Sequence, residues 1–398
     1  MNDAIGKTIE VCPDCELNNF MRAVFIAAPY DTVLVKQGKY PSINSIITKP
    51  LTVIGENFPV IDGQGRDEVI LVYSDSVTIY GLDVRNSNRG SMKDYAGIRV
   101  FKSKDVRVLN CRLNNTFFGI YLSDSKRVLV KGCRSKGANA GNSDTGNGIH
   151  LWKCDSVTVT GNYLEGHRDG LYFEFARHCY IENNLAERNF RYGLHFMFSD
   201  NNTYVRNTFR SNGTGVAVMY TKGVHMLYNI FENNWGDAAY GLLLKDIGNS
   251  LIMGNTFRNN TIGITMEGSS GIRFEGNDFV KNGYGLRIWA NCTQDTFFHN
   301  NFTGNTFDAS TNGELQQNSF SYNYWDKYTG YDLNRDKIGD VPYKPVSLYS
   351  MLIEQMPYAV MLLRSFMVDL LDKAEKNIPS ITPEAFEDKF PLTKMVKR

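Results

Sequence analysis

Along most of the chain, apolar and polar positions alternate with period two in short runs, and each run opens on a glycine. The runs read GIYLS from Gly119, GIHLW from Gly148, GLYFE from Gly170, GLHFM from Gly193, GVAVM from Gly215, GLLLK from Gly241, GITME from Gly263 and GLRIW from Gly285. Period two is the signature of a strand. Starting from Gly97, the glycines are spaced 22, 29, 22, 23, 22, 26, 22 and 22 residues apart. An Asn-x-Leu or Asn-x-Phe motif keeps the same register at Asn162, Asn207, Asn229, Asn255 and Asn277. A fixed period of this size means a solenoid. It predicts an all-β, right-handed parallel β-helix with three short strands per coil and coils roughly 4.8 Å apart. The two longer spacings predict protruding loops at 137–146 and 235–240. Asparagine suits left-handed turns and ladders of side chains from coil to coil, and glycine relieves the bend before each strand.

The pattern changes at both ends. Residues 1–28 read as a strand and a cap helix, because ELNNFMRAVFIAA places Leu17, Phe20, Met21 and Val24 at helical spacing. An open solenoid end needs such a cap. The β-helix is expected over 29–346. No glycine follows Gly339, and 347–398 read as an amphipathic helical and extended arm, interrupted at Pro357 and ended by Pro379 and Pro383. Leu352, Met356, Leu362, Arg364, Phe366 and Leu370 are its candidate docking residues, with a plain C-terminal cap as the alternative.

Period two also assigns faces. After each glycine, the first and third residues are expected inside, and the second and fourth outside. The outer positions include His150, Trp152, Tyr172, Glu174, His195, Met197 and Met219. Exposed thioethers beside an imidazole suit Cu(I), which makes His195, Met197 and Met219 candidate ligands. His150, Trp152, Tyr172 and Glu174 form a candidate binding surface, since aromatic residues are also enriched in protein interfaces and suit glycans. Arg168, Asp169, Glu174, Lys245, Glu267 and Arg287 leave open a carbohydrate-active enzyme (a lyase, hydrolase or epimerase) needing paired acid and base groups; salt bridges at coil corners are the plainer reading. Cys12 and Cys15 form a CPDC pair fit for a disulfide, for copper or for thiol exchange. Cys111, Cys133, Cys154, Cys179 and Cys292 read as buried small residues. Asp332, Asn334, Asp336 and Asp340 stand at positions one, three, five and nine of a calcium loop, but Tyr343 replaces the Glu of position twelve; a polar turn fits as well.

Charge narrows the partners. Lys plus Arg number 43 against 42 Asp plus Glu, which argues against nucleic-acid binding through a large basic surface. The stretch YAVMLL falls far short of the ~20 apolar residues of a membrane span, and MNDAIGKTIEV has no apolar signal core, as expected of a mature form.

The runs GHRDGLYFEF, RYGLHFMFSDNN, GVAVMY, YGLLLKDI, GITMEG, NYWDKYTGYDLNRDKIGDVPY and the IPSITPEAF tail resemble the NosD family of nitrous-oxide-reductase maturation proteins. The resemblance implies a periplasmic β-helix without enzymatic activity. It would dock on the ABC-transporter membrane subunit NosY, whose ATPase partner NosF hydrolyses ATP, and meet the membrane only through partners. It would receive Cu(I) transiently from NosL and help build the copper–sulfide cluster of apo nitrous oxide reductase. RYGLHFMFS and GVAVMY carry His195, Met197 and Met219, and the tail would be the arm toward NosY. The CPDC pair takes no role from the resemblance.

Overall fold

A computed structural model describes residues 6–90, 93–138, 145–236, 239–313, 317–363, 365–377 and 387–397. The chain forms two compact units, Met1–Thr208 and Phe209–Arg398. In each, successive coils add strands to three parallel sheets. The second sheet of the first unit takes Ala96–Phe101, Phe118–Ser123, Ile149–Trp152, Asp169–Glu174 and Tyr192–Met197. Its register runs Ile98, Ile120, Ile149, Leu171, Leu194. In the second unit the equivalent strands are Thr214–Met219, Tyr240–Lys245, Ile262–Glu267, Tyr284–Ile288 and Phe307–Thr311, in register through Val216, Leu242, Ile264, Leu286 and Ala309. The fold of both units is the parallel β-helix that the glycine period predicts. Of the two expected loops, residues 139–144 and 237–238 lie outside the described residues.

Asparagine holds the coils together from inside. In the second unit Asn229, Asn255, Asn277, Asn300 and Asn323 are buried in one column. The Asn255 carboxamide oxygen accepts from the Asn229 N–H at 2.8 Å and from its Nδ2 at 3.0 Å, and Asn255 Nδ2 donates to the Met226 carbonyl at 2.8 Å. The pattern repeats through Asn277 and Asn300 to Asn323, and Asn162, Asn184 and Asn207 build the same column in the first unit. These asparagines are not the left-handed residues. That role falls to the residue before each, whatever its type: Asn183, Arg206, Tyr228, Gly254, Gly276, His299 and Tyr322 all have φ between 51° and 67°. A non-glycine residue costs roughly 1–2 kcal/mol there, so the ladder bonds must offset it. In the second unit the aromatic residue two places after each asparagine stacks on its counterpart, where Asn162 and Asn184 of the first unit have Leu164 and Ala186. Phe257, Phe279, Phe302 and Trp325 have ring centroids 5.1, 4.6 and 4.0 Å apart in turn. The Asn-x-Phe motif is therefore one turn supplying a hydrogen-bond ladder and a ring stack together.

The repeated glycine answers to crowding rather than to a bend. A Cβ on Gly241 would lie 2.8 Å from the Gly263 carbonyl oxygen, and one on Gly263 would lie 2.5 Å from that of Gly285. Neither glycine has positive φ. Each side chain that is missing lets the next coil close in.

Both ends are capped. Helix α1, Phe20–Ile26, starts at Asn19, whose side chain accepts from the Arg22 N–H, and it buries Phe20, Ala23 and Val24. Met21 stays nearly half exposed. At the other end, helix α2, Leu348–Gln355, lays Tyr349 and Ile353 against Phe307. Glu354 on α2 pairs with Arg287 at 2.5 Å and accepts from Ser310 at 3.1 Å. A 3-10 turn, Pro357–Leu362, leads to helix α3, Phe366–Asn377. Residues 378–386 lie outside the described residues, so the first part of the expected extended segment is not placed. Its last part is not a free arm. Asp388 and Leu392 bridge to Phe320 and Tyr324 on the final coil. The Asp388 carboxylate accepts from the Asn323 N–H at 3.0 Å, its Nδ2 at 2.9 Å and Trp325 Nε1 at 3.0 Å. It ends the asparagine ladder.

Replacing Asn255 by Leu strands a buried N–H and a buried carbonyl. It should lower unfolding free energy by about 3 kcal/mol or more, read as a shift in the urea midpoint. Asp388→Ala should destabilise comparably; an unchanged midpoint would show that the tail is dispensable to the last coil.

Candidate functional site

The outer face of the second sheet in the first unit carries a continuous column of rings. Parallel pairing sets Tyr121 beside His150, His150 beside Tyr172, and Tyr172 beside His195. Their centroids are 4.6, 4.7 and 5.1 Å apart. Phe118 packs on His150 at 5.1 Å, and Tyr192 on His195 at 4.9 Å. The column ends on cations at both sides. The Arg99 guanidinium lies 4.5 Å from the Tyr121 ring and pairs with buried Glu68. Arg191 lies 4.9 Å from the Tyr192 ring and pairs with buried Asp169.

This packing corrects the face assignment. The second position after each glycine does point away from the core, yet Tyr121, His150 and His195 are buried, with His195 only 6% exposed. The expected bare ladder is instead a self-covered aromatic layer, because rings about one strand spacing apart shield one another. Trp152, Tyr172, Glu174 and Met197, all half-buried, form its outer rim, and the Tyr172 hydroxyl donates to Glu174 at 3.3 Å.

His195 has the surroundings of a ligand held in reserve. Arg191 can only donate, and its Nη2 lies 3.2 Å from His195 Nδ1. That hydrogen bond makes Nδ1 the acceptor and leaves the proton on Nε2. Nε2 is buried without a hydrogen-bond partner. One oxygen of Asp169 stands 3.9 Å from Nδ1. Burial is the first cause that lowers the His195 pKa to about 4; Asp169 opposes it and Arg191 adds to it. His150 is lowered to about 3, by burial first and then by the Arg99 and Arg168 charges. Both imidazoles are therefore neutral near pH 7, the state in which imidazole binds metal. Met197 follows two residues along the same strand, beside Glu174 in register. Met219 belongs to the second unit, half-buried at the end of Thr214–Met219.

Arg191 and its pairing with Asp169 escaped the sequence reading. The only signal was an arginine four residues before His195 at a coil corner. That pairing also removes Asp169 as a catalytic acid: it is fully buried, and Arg191 donates to its two oxygens at 2.9 and 2.5 Å. In the second unit Lys245 pairs with Glu267 at 3.1 Å, and Arg287 is taken by Glu354. The first joins strand ends on neighbouring coils, as the plainer reading expects, whereas the second ties a mid-strand arginine to helix α2.

The other candidates separate as follows. Cys12 and Cys15 are joined as a disulfide, so neither is a free thiolate ligand. The remaining five cysteines are buried and free. In the acidic loop, Asp332 accepts from the N–H groups of Asp336 and Lys337. Asn334 and Asp336 accept from those of Asp336 and Ile338, and Asp340 from that of Leu333. Its acids do not converge as metal ligands: among the described residues only Glu10, Cys12 and Cys15 bring three such atoms within 4.8 Å. Asp332, Asn334, Asp336 and Asp340 thus form a self-bonded polar turn. Among the docking candidates, Met356, Leu362, Phe366 and Leu370 are exposed, Leu352 is half-buried against Phe307 and its neighbours, and Arg364 lies outside the described residues.

Comparison with known proteins adds three observations. The model of a family described as periplasmic copper-binding protein (NosD) matches residues 135–330. The chain is 30% identical over 378 residues to a probable ABC transporter binding protein NosD of Pseudomonas aeruginosa, covering 90% of this chain and 87% of that one. It is 28% identical to its counterpart in Stutzerimonas stutzeri over 371 residues, 88% and 84% of the two chains. Among solved structures, an α-1,3-glucanase catalytic domain superposes with a TM-score of 0.60 at 12% identity, over 82% of this chain and 70% of that one. The A-module of an Azotobacter vinelandii mannuronan C-5 epimerase does so at 0.50 and 12%, over 76% and 93%. At such identity these two share the fold alone.

His150 and His195 should stay neutral from pH 8 to below pH 5, with no imidazole NMR titration above that value. The unfolded chain takes up these protons near 6.5, ahead of the folded one. Their contribution to stability is therefore full above pH 6.5 and lost as pH falls toward 4. His150→Phe should flatten part of that loss in urea titrations across this window; an identical pH slope would overturn the burial argument.

Proposed function

The chain belongs to the NosD family of periplasmic copper-binding proteins, and from that premise we propose that it is a non-enzymatic copper carrier serving an ABC transporter. It docks on the membrane subunit NosY, paired with the ATPase NosF. It takes Cu(I) from NosL and offers it to apo nitrous oxide reductase as the copper–sulfide cluster is built.

The observation that carries the docking role is the bare apolar surface after α2. Tyr358, Met361 and Phe366 are each at least 80% exposed, and Met356 and Leu370 about half exposed. Soluble chains seldom leave so many large apolar side chains uncovered together unless a partner covers them. Helix α2, fixed by Glu354 on Arg287 and Ser310, gives this surface a firm base.

For copper, the arrangement around His195 supports a proton switch. Without metal, Arg191 donates to Nδ1 and the proton sits on Nε2. When Cu(I) takes Nε2, that proton must leave, and Nδ1 becomes the protonated nitrogen. Asp169, 3.9 Å away, is the nearest carboxylate, and it would accept from Nδ1 only after Arg191 Nη2 swings off that nitrogen and the carboxylate closes in. Arg191 keeps its charge and its grip on Asp169. Met197 supplies a thioether on the same strand, and Met219 is a separate candidate on the second unit. Neutral imidazole and thioether donors favour a soft monovalent ion and bind it weakly enough to pass it on.

Anaerobic competition with a Cu(I) chelator should show affinity reduced tenfold or more in His195→Ala and in Met197→Leu, with Met219→Leu measured on its own. Parent-like binding in the first two would remove this site. Met361→Asp with Phe366→Asp should weaken copurification with the transporter by roughly 30-fold or more, as expected of hot-spot residues, while circular dichroism stays unchanged. Undiminished association would place the docking surface elsewhere.

A further inference from the structure

The copper and docking roles leave the CPDC pair unused. Cys12 and Cys15 sit in the turn after the edge strand Thr8–Val11, their Cα atoms 5.1 Å apart. A Glu10 carboxylate oxygen and both sulfurs lie within 4.8 Å of one another. Glu10 is exposed, and both cysteines are partly so. The other five are buried, and burial pushes the thiols of Cys154 and Cys179 up to about 12 and that of Cys292 up to about 11. A reductant or a thiophilic cation arriving from solvent therefore finds one sulfur pair, at this rim. The bridge closes a very short loop, and short loops constrain the unfolded chain least. Stability is thus a weak reason for the bond. Lys36, on the next coil, donates its N–H to the Val11 carbonyl at 2.8 Å and holds its ammonium 3.8 Å from Glu10. Lys36 also pairs with Glu56 at 2.8 Å, so it only partly offsets the Glu10 charge beside the sulfurs.

We propose that Cys12 and Cys15 form a redox-gated site for a soft monovalent cation, Cu(I), shut as the disulfide and open as the dithiol. A dithiol reductant supplies the two electrons. One of its thiolates attacks a bridge sulfur, the S–S bond breaks, and a mixed disulfide forms. Its second thiol then displaces the mixed disulfide, leaving as the oxidised reductant and returning two thiols here. Cu(I) binding releases a proton from each cysteine to solvent and yields a bis-thiolate ion. Glu10 stands by as an oxygen donor that a harder cation such as Zn(II) would use. This site shares no residue with the one at His195, so the two readings fail independently.

The test uses the full chain, held anaerobically as the disulfide and after reduction by a phosphine that is then removed. Each form is titrated with Cu(I) against a chromogenic chelator. Reduction should add one bound equivalent, with thiolate-to-copper absorption in the near ultraviolet. Cys12→Ser and Cys15→Ser should abolish that equivalent, and His195→Ala should keep it. Equal stoichiometry in both redox forms, or an added equivalent that survives Cys12→Ser, overturns the proposal. Circular dichroism of the reduced protein provides a further check. Loss of strand signal on reduction would make the bridge structural and overturn it as well.

Discussion

The fold depends on one interaction repeated coil after coil: a buried asparagine carboxamide bonded to the backbone and side chain of the coil before it. Buried polar groups are costly unless fully paired. Here the carboxamide oxygen accepts two hydrogen bonds from the neighbouring coil, and the amide nitrogen donates to a carbonyl of that same coil. From Asn162 onward that pattern ties each coil to the next in a fixed register within each unit. The left-handed residue before each asparagine, even when it is Tyr228, His299 or Tyr322, is carried by the ladder rather than chosen for its own preference.

A ladder of this kind must end somewhere, and its end explains the tail. The last asparagine, Asn323, donates one amide hydrogen to the Phe297 carbonyl, and has no further coil to take its N–H and its other amide hydrogen. Asp388 returns from 65 residues away to accept from both and from Trp325. The polypeptide between the last coil and Asp388 is held at both ends, by α2 on the second sheet and by residues 387–397 on the final coil. Its apolar surface is thereby presented from a fixed base. Capping accounts for the two ends of this segment, and the proposed docking would use the exposed apolar side chains between them.

The same regularity shapes the chemistry of the outer face. Parallel coils put identical strand positions next to one another, so an aromatic at one outer position covers the one beside it. His195 is buried by Tyr172 and Tyr192 although it points away from the core. That burial keeps its imidazole neutral, and Arg191, held by Asp169, sets which nitrogen carries the proton. A solvent-exposed histidine would lack this control. The rim disulfide lies outside both the ladder and the aromatic layer, so opening it would disturb neither.

The sequence by itself determined the coil: its length, its three strands, its glycine and asparagine positions and two of the places where it lengthens, though not the long step from Ile70 to Ile98. Those features are local and periodic, so each repeat confirms the others. The donor types at His195, Met197 and Met219 and the CPDC pair were also legible, since residue identity carries their chemistry. Tertiary structure decided which outward side chains are covered, because shielding comes from rings one coil away rather than from neighbours along the chain. It also decided that Arg191 and Asp169 govern His195, that Asp388 closes the ladder, and that the acidic loop spends its carboxylates on its own backbone. The first two are contacts across coils or across the length of the tail, and the third is a matter of where side chains turn. No period in the sequence records any of them.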